Sequence, residues 1–256
     1  MIRDNLTGFG RRSALVAVVA AALSAAPAAA VVGPSESGAR FADHVVMVLS
    51  RGGDREGFCT GIVLGPRAVL TAAHCLRPTR DMVVAYRDGT GNPVLVAVAD
   101  AVSHPLYRPN AIAERQVSID LALIETETPL DPRLTPPPLA QGDGPAVGDE
   151  TILAGYGVAR EGTPSSGGTL RSARLKVRAP LSQILLWAVG GAADGAGACG
   201  GDSGAPLFLA DGETVAAVVA WTSGAERGKR CGALTQGPLI APQRDWIEAT
   251  LARWGR

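Results

Sequence analysis

Short apolar runs, separated by turns rich in glycine and proline, recur along most of this chain. Runs of this length, bounded by turn residues, are typical of β-strands. The runs that predict strands cover residues 44–49, 58–64, 68–71, 82–86, 94–102, 121–124, 151–154, 170–177, 184–189 and 215–221. Gly65-Pro66 predicts a hairpin turn between the second and the third run. Near the end, residues 242–254 predict a helix with Trp246, Ile247, Leu251 and Trp254 packed on one face.

Composition agrees with many short strands joined by turns. The chain has 256 residues, of which 46% are hydrophobic, with 32 glycines and 18 prolines. This length is enough for one buried core or two smaller ones. Lysine plus arginine equals aspartate plus glutamate at 24 each, so no net field favours nucleic acid or an anionic membrane as a partner.

The succession of apolar runs is interrupted near the middle of the chain. Three prolines, Pro136 to Pro138, and a stretch rich in Gly, Asp and Pro up to Gly148 interrupt every periodic run. We interpret this stretch as a link between two parts of one domain. The predicted parts are residues 31–141 and residues 142–256.

The first 30 residues predict a secretory signal peptide. Three arginines precede the apolar run 14–26, which is followed by Pro27 and three alanines. A basic start, a short apolar stretch and a small-x-small site describe a cleavable signal. We therefore expect a secreted or periplasmic protein with no membrane segment after cleavage. An uncleaved membrane anchor is the alternative, because the run nearly reaches spanning length.

Four cysteines complete the general picture. An even number after a secretory segment predicts two disulfides, with three pairings open. No Cys-x-x-Cys pair is present and the histidines are scattered, which does not suit a zinc site.

The stretch from Cys199 to Pro206, Cys-Gly-Gly-Asp-Ser-Gly-Ala-Pro, carries the strongest chemical signal. Glycines beside a serine let the backbone approach a substrate closely. The amides of Gly201 and Ser203 are predicted to converge on one point and stabilise an oxyanion. Taken alone, the stretch is also compatible with an ordinary turn.

A serine nucleophile needs a base that a third group orients. His74 lies in Leu-Thr-Ala-Ala-His-Cys, and Asp120 begins the apolar run Asp-Leu-Ala-Leu-Ile. The other two histidines, His44 and His104, lack this context and are predicted to be noncatalytic. Together the three motifs, in the order His74, Asp120, Ser203, resemble the trypsin/chymotrypsin family of serine proteases.

The resemblance implies an all-β fold of two antiparallel six-stranded β-barrels with a C-terminal α-helix. It implies a serine endopeptidase acting on peptide or protein substrates, with no cofactor and no metal. Ser203 would attack the carbonyl, His74 would take its proton, and Asp120 would orient His74. The implied disulfides are Cys59–Cys75 and Cys199–Cys231.

The resemblance also implies an activation pair and a specificity pocket. A new N-terminus at Val31 would place its ammonium against Asp202, so that signal removal and activation would be one cut; a cut after Ala28 is the alternative. By the family's spacing, residues that line the pocket or lie beside the substrate are Gly197, Ala198, Trp221, Thr222 and Gly237. An uncharged pocket floor and a side chain at Thr222 predict a small or medium uncharged residue before the scissile bond.

Three positions depart from the family pattern. Pro34 replaces a glycine near the new terminus, Ala205 replaces the second glycine after the serine, and Ala220 replaces a serine that supports the triad aspartate. The departures at Ala205 and Ala220 keep a noncatalytic secreted binding or adhesion module as the alternative function. An esterase of similar chemistry is a third interpretation.

Overall fold

The structure is a computed structural model that describes residues 31–51, 57–114, 116–191 and 195–255. The predicted signal peptide, residues 1–30, lies outside the described residues. Within the described ranges, no helix is both long enough and apolar enough to cross a membrane.

The first half of the chain forms a closed antiparallel barrel. A two-residue strand, β1 (Glu36–Ser37), comes first in the chain. The barrel strands are β2 (Val45–Ser50), β3 (Gly57–Gly65), β4 (Ala68–Thr71), β5 (Met82–Arg87), β6 (Pro93–Ser103) and β7 (Ala122–Thr126). They pair in the closed order β2-β3-β4-β7-β6-β5. Each begins within two residues of an apolar run in the sequence, because alternating positions supply the barrel interior.

The second half forms another antiparallel sheet. Its strands are β8 (Glu150–Gly155), β9 (Arg171–Val177), β10 (Leu185–Val189), β11 (Pro206–Leu209), β12 (Val215–Val218), β13 (Trp221–Ser223) and β14 (Leu234–Pro238). They are ordered β12-β11-β8-β9-β10-β14-β13, and β1 pairs with β9. A bridge between Ala217 and Leu239 brings the two ends of the sheet together. The predicted fold class is confirmed, with the run 215–221 divided into two strands.

In the part of the chain that the structure describes, helices are few and short. The α-helices are α1 (Ala111–Glu114) and α2 (Arg244–Arg253), and 3-10 turns occur at Ala39–Phe41, Ala73–Cys75, Thr79–Asp81, Pro164–Ser166 and Ala241–Gln243. Ile247 of α2 is buried, and Trp246 and Trp254 pack against the same core cluster. The packing predicted for this helix face is therefore confirmed.

One buried cluster joins the two sheets. Phe41, which precedes the first barrel, stacks on Phe208 of β11 with ring centroids 4.8 Å apart. The same cluster takes Ile62 and Leu123 from the first barrel and Ile152 from the second sheet. Because the two halves share this core, loops from both are held in fixed positions where the halves meet.

Candidate active site

His74 is held at the end of the most buried strand of the first barrel. All four residues of β4 are buried, and the chain then turns through the 3-10 segment Ala73–Cys75. A disulfide joins Cys75 to Cys59 of the neighbouring strand β3. The turn that carries the imidazole is therefore fixed by burial on one side and by a covalent bond on the other.

Asp120 and Ser203 lie on opposite sides of the His74 ring. The Nδ1 atom of His74 is 2.7 Å from Asp120 Oδ2, and its Nε2 atom is 2.8 Å from the Ser203 hydroxyl. The His74 backbone amide also donates to Asp120 Oδ1 at 2.9 Å. A carboxylate only accepts hydrogen bonds, so Nδ1 carries the proton and Nε2 is left as the acceptor for the serine hydroxyl.

The backbone amides of Gly201 and Ser203 are directed away from the carbonyl groups that precede them. The Gly200 carbonyl accepts a bond from the Val158 amide at 2.8 Å, and the Asp202 carbonyl accepts one from the Ala205 amide at 2.9 Å. In a trans peptide the N–H is directed opposite to the C=O. The amides that follow these carbonyls, those of Gly201 and Ser203, therefore face the other way, and neither donates to another described residue.

Gly201 needs its glycine for two reasons. Its φ angle is +95°, in the region that side chains disfavour. A Cβ at this position would also collide with the ring of Phe58. The Phe58 ring therefore packs directly against the Gly201 backbone, where only a glycine fits.

Asp202 is a buried acid whose carboxylate is held by backbone amides. Its residue surface is fully buried, and its carboxylate accepts bonds from the amides of Gly157 at 2.8 Å and Cys199 at 2.9 Å. Burial raises the pKa of Asp202 to about 7, and the two amide bonds only partly oppose this. Among the described residues, no positively charged side chain forms an ion pair with it.

Val31 lies in the core beside this loop. It is fully buried in the cluster that contains Ala198 and Ala205, and its φ angle is +69°. The next residue, Val32, accepts a bond from the Gly197 amide at 3.1 Å. The structure thus brings Val31 and Val32 close to the segment that leads into residues 199–206, which we call the serine loop. Val31 and Asp202 are not joined by any of the described hydrogen bonds.

Residues 31–247 match the family model described as Trypsin. The chain belongs to the trypsin family. Among curated proteins, it is 28% identical over 246 residues to trypsin eta of Drosophila melanogaster, covering 88% of this chain and 90% of the relative. It is 29% identical over 216 residues to human granzyme M, covering 76% of this chain and 80% of the relative.

Solved structures show the same fold. Mouse neuropsin, described as a serine protease expressed in the limbic system of mouse brain, has a TM-score of 0.67 at 24% identity, covering 86% of this chain and 98% of that chain. A scabies mite inactivated protease paralogue has a TM-score of 0.68 at 20% identity, covering 87% and 99%. At these identities the likeness shows the fold alone.

The predicted pocket residues are divided between buried positions and an open cleft. Gly197 and Ala198 are buried, and the Thr222 hydroxyl donates to the Ala198 carbonyl at 2.8 Å. The open cleft beside the serine, about 560 Å³, is lined by Ser203, Cys199, Gly200, Trp221, Thr222 and Cys231 among others. Neither Gly197 nor Ala198 lines it, whereas Thr222 does, and its hydroxyl is bonded to Ala198.

Gly237 is also not where the family spacing predicted it. In the pairing of β13 with β14, Thr222 lies opposite Thr235, and Gly237 pairs instead with Leu186 of β10. The backbone of Gly237 packs against the Val218 carbonyl. The residue paired with Thr222 across the sheet is therefore Thr235, which is fully buried and accepts a bond from the Ala198 amide at 3.0 Å.

A second cavity extends from the triad along Trp221. It measures about 520 Å³ and is lined by His74, Asp120, Tyr107, Val117, Leu185, Ala220 and Gly237 among others. Trp221 lines both cavities and is 36% exposed. Ala220 presents no hydroxyl to Asp120, so the carboxylate is held by His74 alone among the described hydrogen bonds.

The second disulfide, His104 and the cysteine–histidine group near the triad complete the set of predicted residues. The second disulfide joins Cys199 to Cys231 beside the serine loop. His104 is buried against Trp246, away from the triad, and burial lowers its pKa. The ligand atoms of Cys59, Cys75 and His74 lie within 4.8 Å of one another, but the two sulfurs are joined in the disulfide. This set offers no free thiolates for a metal.

Proposed function

We propose that this trypsin-family chain is an active, secreted serine endopeptidase. The observation that carries the proposal is the position of His74, whose ring nitrogens lie 2.7 Å from Asp120 and 2.8 Å from Ser203. Ser203 attacks a peptide carbonyl while Nε2 of His74 takes its proton, and Asp120 stabilises the imidazolium. His74 then protonates the leaving amine, and water hydrolyses the acyl-enzyme.

The amides of Gly201 and Ser203 bind the oxyanion of this reaction. Both are directed away from carbonyls that are already bonded elsewhere, so they meet the developing charge without rearrangement. No cofactor takes part in the proposed steps.

The substrate residue before the scissile bond is proposed to be small and uncharged. Thr222 and the buried Thr235 paired with it place side chains where a long substrate residue would need space. Gly197 supplies no charge there to pair with lysine or arginine. A medium-sized residue fits only as far as the rim formed by Thr222.

We infer that the substrate backbone extends along Trp221. Among the described strands, β13 pairs with β14 on one edge and with no strand on the other. An extended peptide on the other edge would add a strand to the sheet, and the exposed Trp221 ring would contact its side chains.

Activation is proposed to follow from export. If the signal peptide of residues 1–30 is removed, Val31 gains an ammonium within the core cluster next to the Asp202 loop. A cation there would compensate the buried carboxylate and favour the loop geometry described above. The two disulfides fit an extracellular protein.

The deciding experiment is labelling with a serine-reactive fluorophosphonate, with Ser203→Ala as the control and the N-terminus sequenced. We expect the wild type alone to react, starting at Val31, and to cleave peptide amides after alanine. An unreactive protein that starts at Val31 would favour the noncatalytic binding module. Reaction with hydrolysis of esters but not of peptides would favour the esterase.

A further inference from the structure

Thr60 is a hydroxyl residue in the middle of an otherwise apolar strand. It is the one residue of β3 that carries a hydroxyl, and it is fully buried. A buried hydroxyl is costly unless its hydrogen bonds are made. The partners of Thr60 therefore indicate what the residue is for.

All the polar groups of Thr60 are engaged, and two of them reach the serine loop. Its hydroxyl donates to the Gly201 carbonyl at 2.8 Å and accepts from the Tyr156 amide at 3.1 Å. Its backbone amide donates to the Ser203 carbonyl at 2.8 Å. Its own carbonyl accepts from the Thr71 hydroxyl at 2.8 Å. One residue of the first barrel thus contacts both residues whose amides face the oxyanion position.

The Thr60 hydroxyl holds the peptide plane that follows Gly201, together with the bond from the Asp202 amide to the Cys199 carbonyl. Gly201 has no side chain to hold it, and its φ angle of +95° lies where glycine moves easily. On its N-terminal side, the Gly200 carbonyl is held by Val158, a residue of the second half. On its C-terminal side, the Gly201 carbonyl is held by Thr60. With the peptide planes on both sides of Gly201 fixed, rotation about its φ and ψ angles is restricted, and its amide keeps one orientation.

We propose that Thr60 is a positioning residue for the oxyanion hole, acting through its hydroxyl on the Gly201 carbonyl. The proposal rests on the proposed peptidase function. Thr60 touches no reacting atom, and its role is to hold the Gly201 amide in the direction that binds the oxyanion. The bond also ties the first barrel to the loop that carries the nucleophile, so the two halves of the site keep their relative position.

The backbone bond from Thr60 to Ser203 survives any substitution, so the hydroxyl can be tested by itself. Thr60→Val keeps the shape of the side chain but leaves the Gly201 carbonyl and the Tyr156 amide without partners. Thr60→Ser restores the hydroxyl. Thr126→Val is the matched control, because Thr126 is a fully buried threonine of the same barrel whose hydroxyl donates to the Thr128 carbonyl at 2.8 Å.

We expect Thr60→Val to lower kcat on an alanine-ending peptide anilide by about tenfold to a hundredfold, with KM within about twofold. Thr60→Ser and Thr126→Val should keep kcat within about threefold of the wild type. Equal losses in Thr60→Val and Thr126→Val, or in Thr60→Val and Thr60→Ser, would show a general packing defect and overturn the proposal.

Amide hydrogen exchange separates this inference from the peptidase function. The Asp202 amide belongs to the same peptide plane as the Gly201 carbonyl and donates to Cys199 at 3.0 Å. On Ser203→Ala protein, Thr60→Val should speed exchange at Asp202 and at Tyr156, and Thr60→Ser should not. Unchanged exchange at both amides overturns the proposal even if the wild type is active. An inactive wild type with the expected exchange pattern refutes the peptidase function and leaves the loop-holding role of Thr60 in place.

Discussion

The hydroxyl of Thr222 and the carbonyl of Ala198 are joined by a hydrogen bond of 2.8 Å. Ala198 belongs to the segment that leads into the serine loop, and Thr222 belongs to β13 beside the open cleft. The bond spans the gap between these two segments. Under the proposed function, we therefore expect a substrate side chain that enters the cleft to meet the Thr222 side chain before it reaches Ala198.

Removing this side chain should deepen the pocket. For Thr222→Gly, we expect kcat/KM to rise at least about tenfold for substrates with phenylalanine or leucine before the scissile bond, because each buried methylene adds to binding. The substrate panel should include alanine, leucine, phenylalanine and arginine. Arginine should stay poor, since Gly197 gives the deeper pocket no acid.

Thr222→Ser is the control for this change, because serine keeps the bond to Ala198 and loses only a methyl group. It should retain the preference for alanine. If Thr222→Gly also retains that preference, Thr222 does not limit the pocket and Thr235 is the next residue to substitute.

The buried Asp202 gives the uncleaved chain a distinctive pH dependence. Its pKa is about 7 in the folded chain and 3.8 in its ordinary state. A carboxyl group with a raised pKa binds its proton more tightly when folded, so the free energy of unfolding should fall as pH rises from about 4 to about 7. The fall is at most about 4 kcal/mol. Urea unfolding of Ser203→Ala protein with residues still attached ahead of Val31 measures it.

Two comparisons identify the group responsible. Asp202→Asn in the same uncleaved protein should remove the fall across this window. The processed protein should lose it as well, because an ammonium at Val31 stabilises the ionised carboxylate. A processed protein with the same slope as the uncleaved one would contradict the proposed activation pair.

The candidate triad and most strands could be predicted because each is recognisable from neighbouring residues alone. The surroundings of His74, Asp120 and Ser203 identify the family, and the apolar runs place most strands within two residues. These features are local, so spacing along the chain is enough to find them. The packing of Trp246 and Trp254 could be predicted for the same reason.

The specificity pocket depends on strand register, which local patterns do not determine. The family's spacing predicts Gly237 in the pocket, whereas the pairing of β13 with β14 places Thr235 opposite Thr222, two residues earlier. A shift of two residues keeps the same face of a strand, so the alternation of side chains gives no warning of it. The sequence marks Thr60 only as a hydroxyl residue within an apolar run. Its partner Gly201 is distant in sequence, so their hydrogen bond follows from the fold.

Asp120 should matter through the tautomer it selects. In Asp120→Asn, the side-chain NH₂ of the asparagine can donate a hydrogen bond to Nδ1 of His74. The imidazole proton then lies on Nε2, and a protonated Nε2 can no longer accept the proton of Ser203. In the Ser-His-Asp proteases this exchange lowers kcat by about 10⁴-fold, and we expect a similar loss here with little change in KM. Steady-state kinetics at pH 7 with a peptide anilide gives the comparison. A loss below about tenfold would argue against the proposed triad.

Ala220→Ser should improve the triad rather than impair it. Ala220 lines the same cavity as Asp120 and His74, and the Asp120 carboxylate is held by His74 alone among the described hydrogen bonds. A hydroxyl at this position adds a charge-assisted donor to the carboxylate, which fixes its orientation toward Nδ1. We expect kcat/KM to rise by roughly threefold to tenfold, a gain of about 1 kcal/mol in transition-state stabilisation. Ala220→Gly, which adds no donor, is the control and should show no gain. If serine and glycine behave alike, the alanine at 220 does not limit the reaction, and the carboxylate is already oriented by its two bonds to His74.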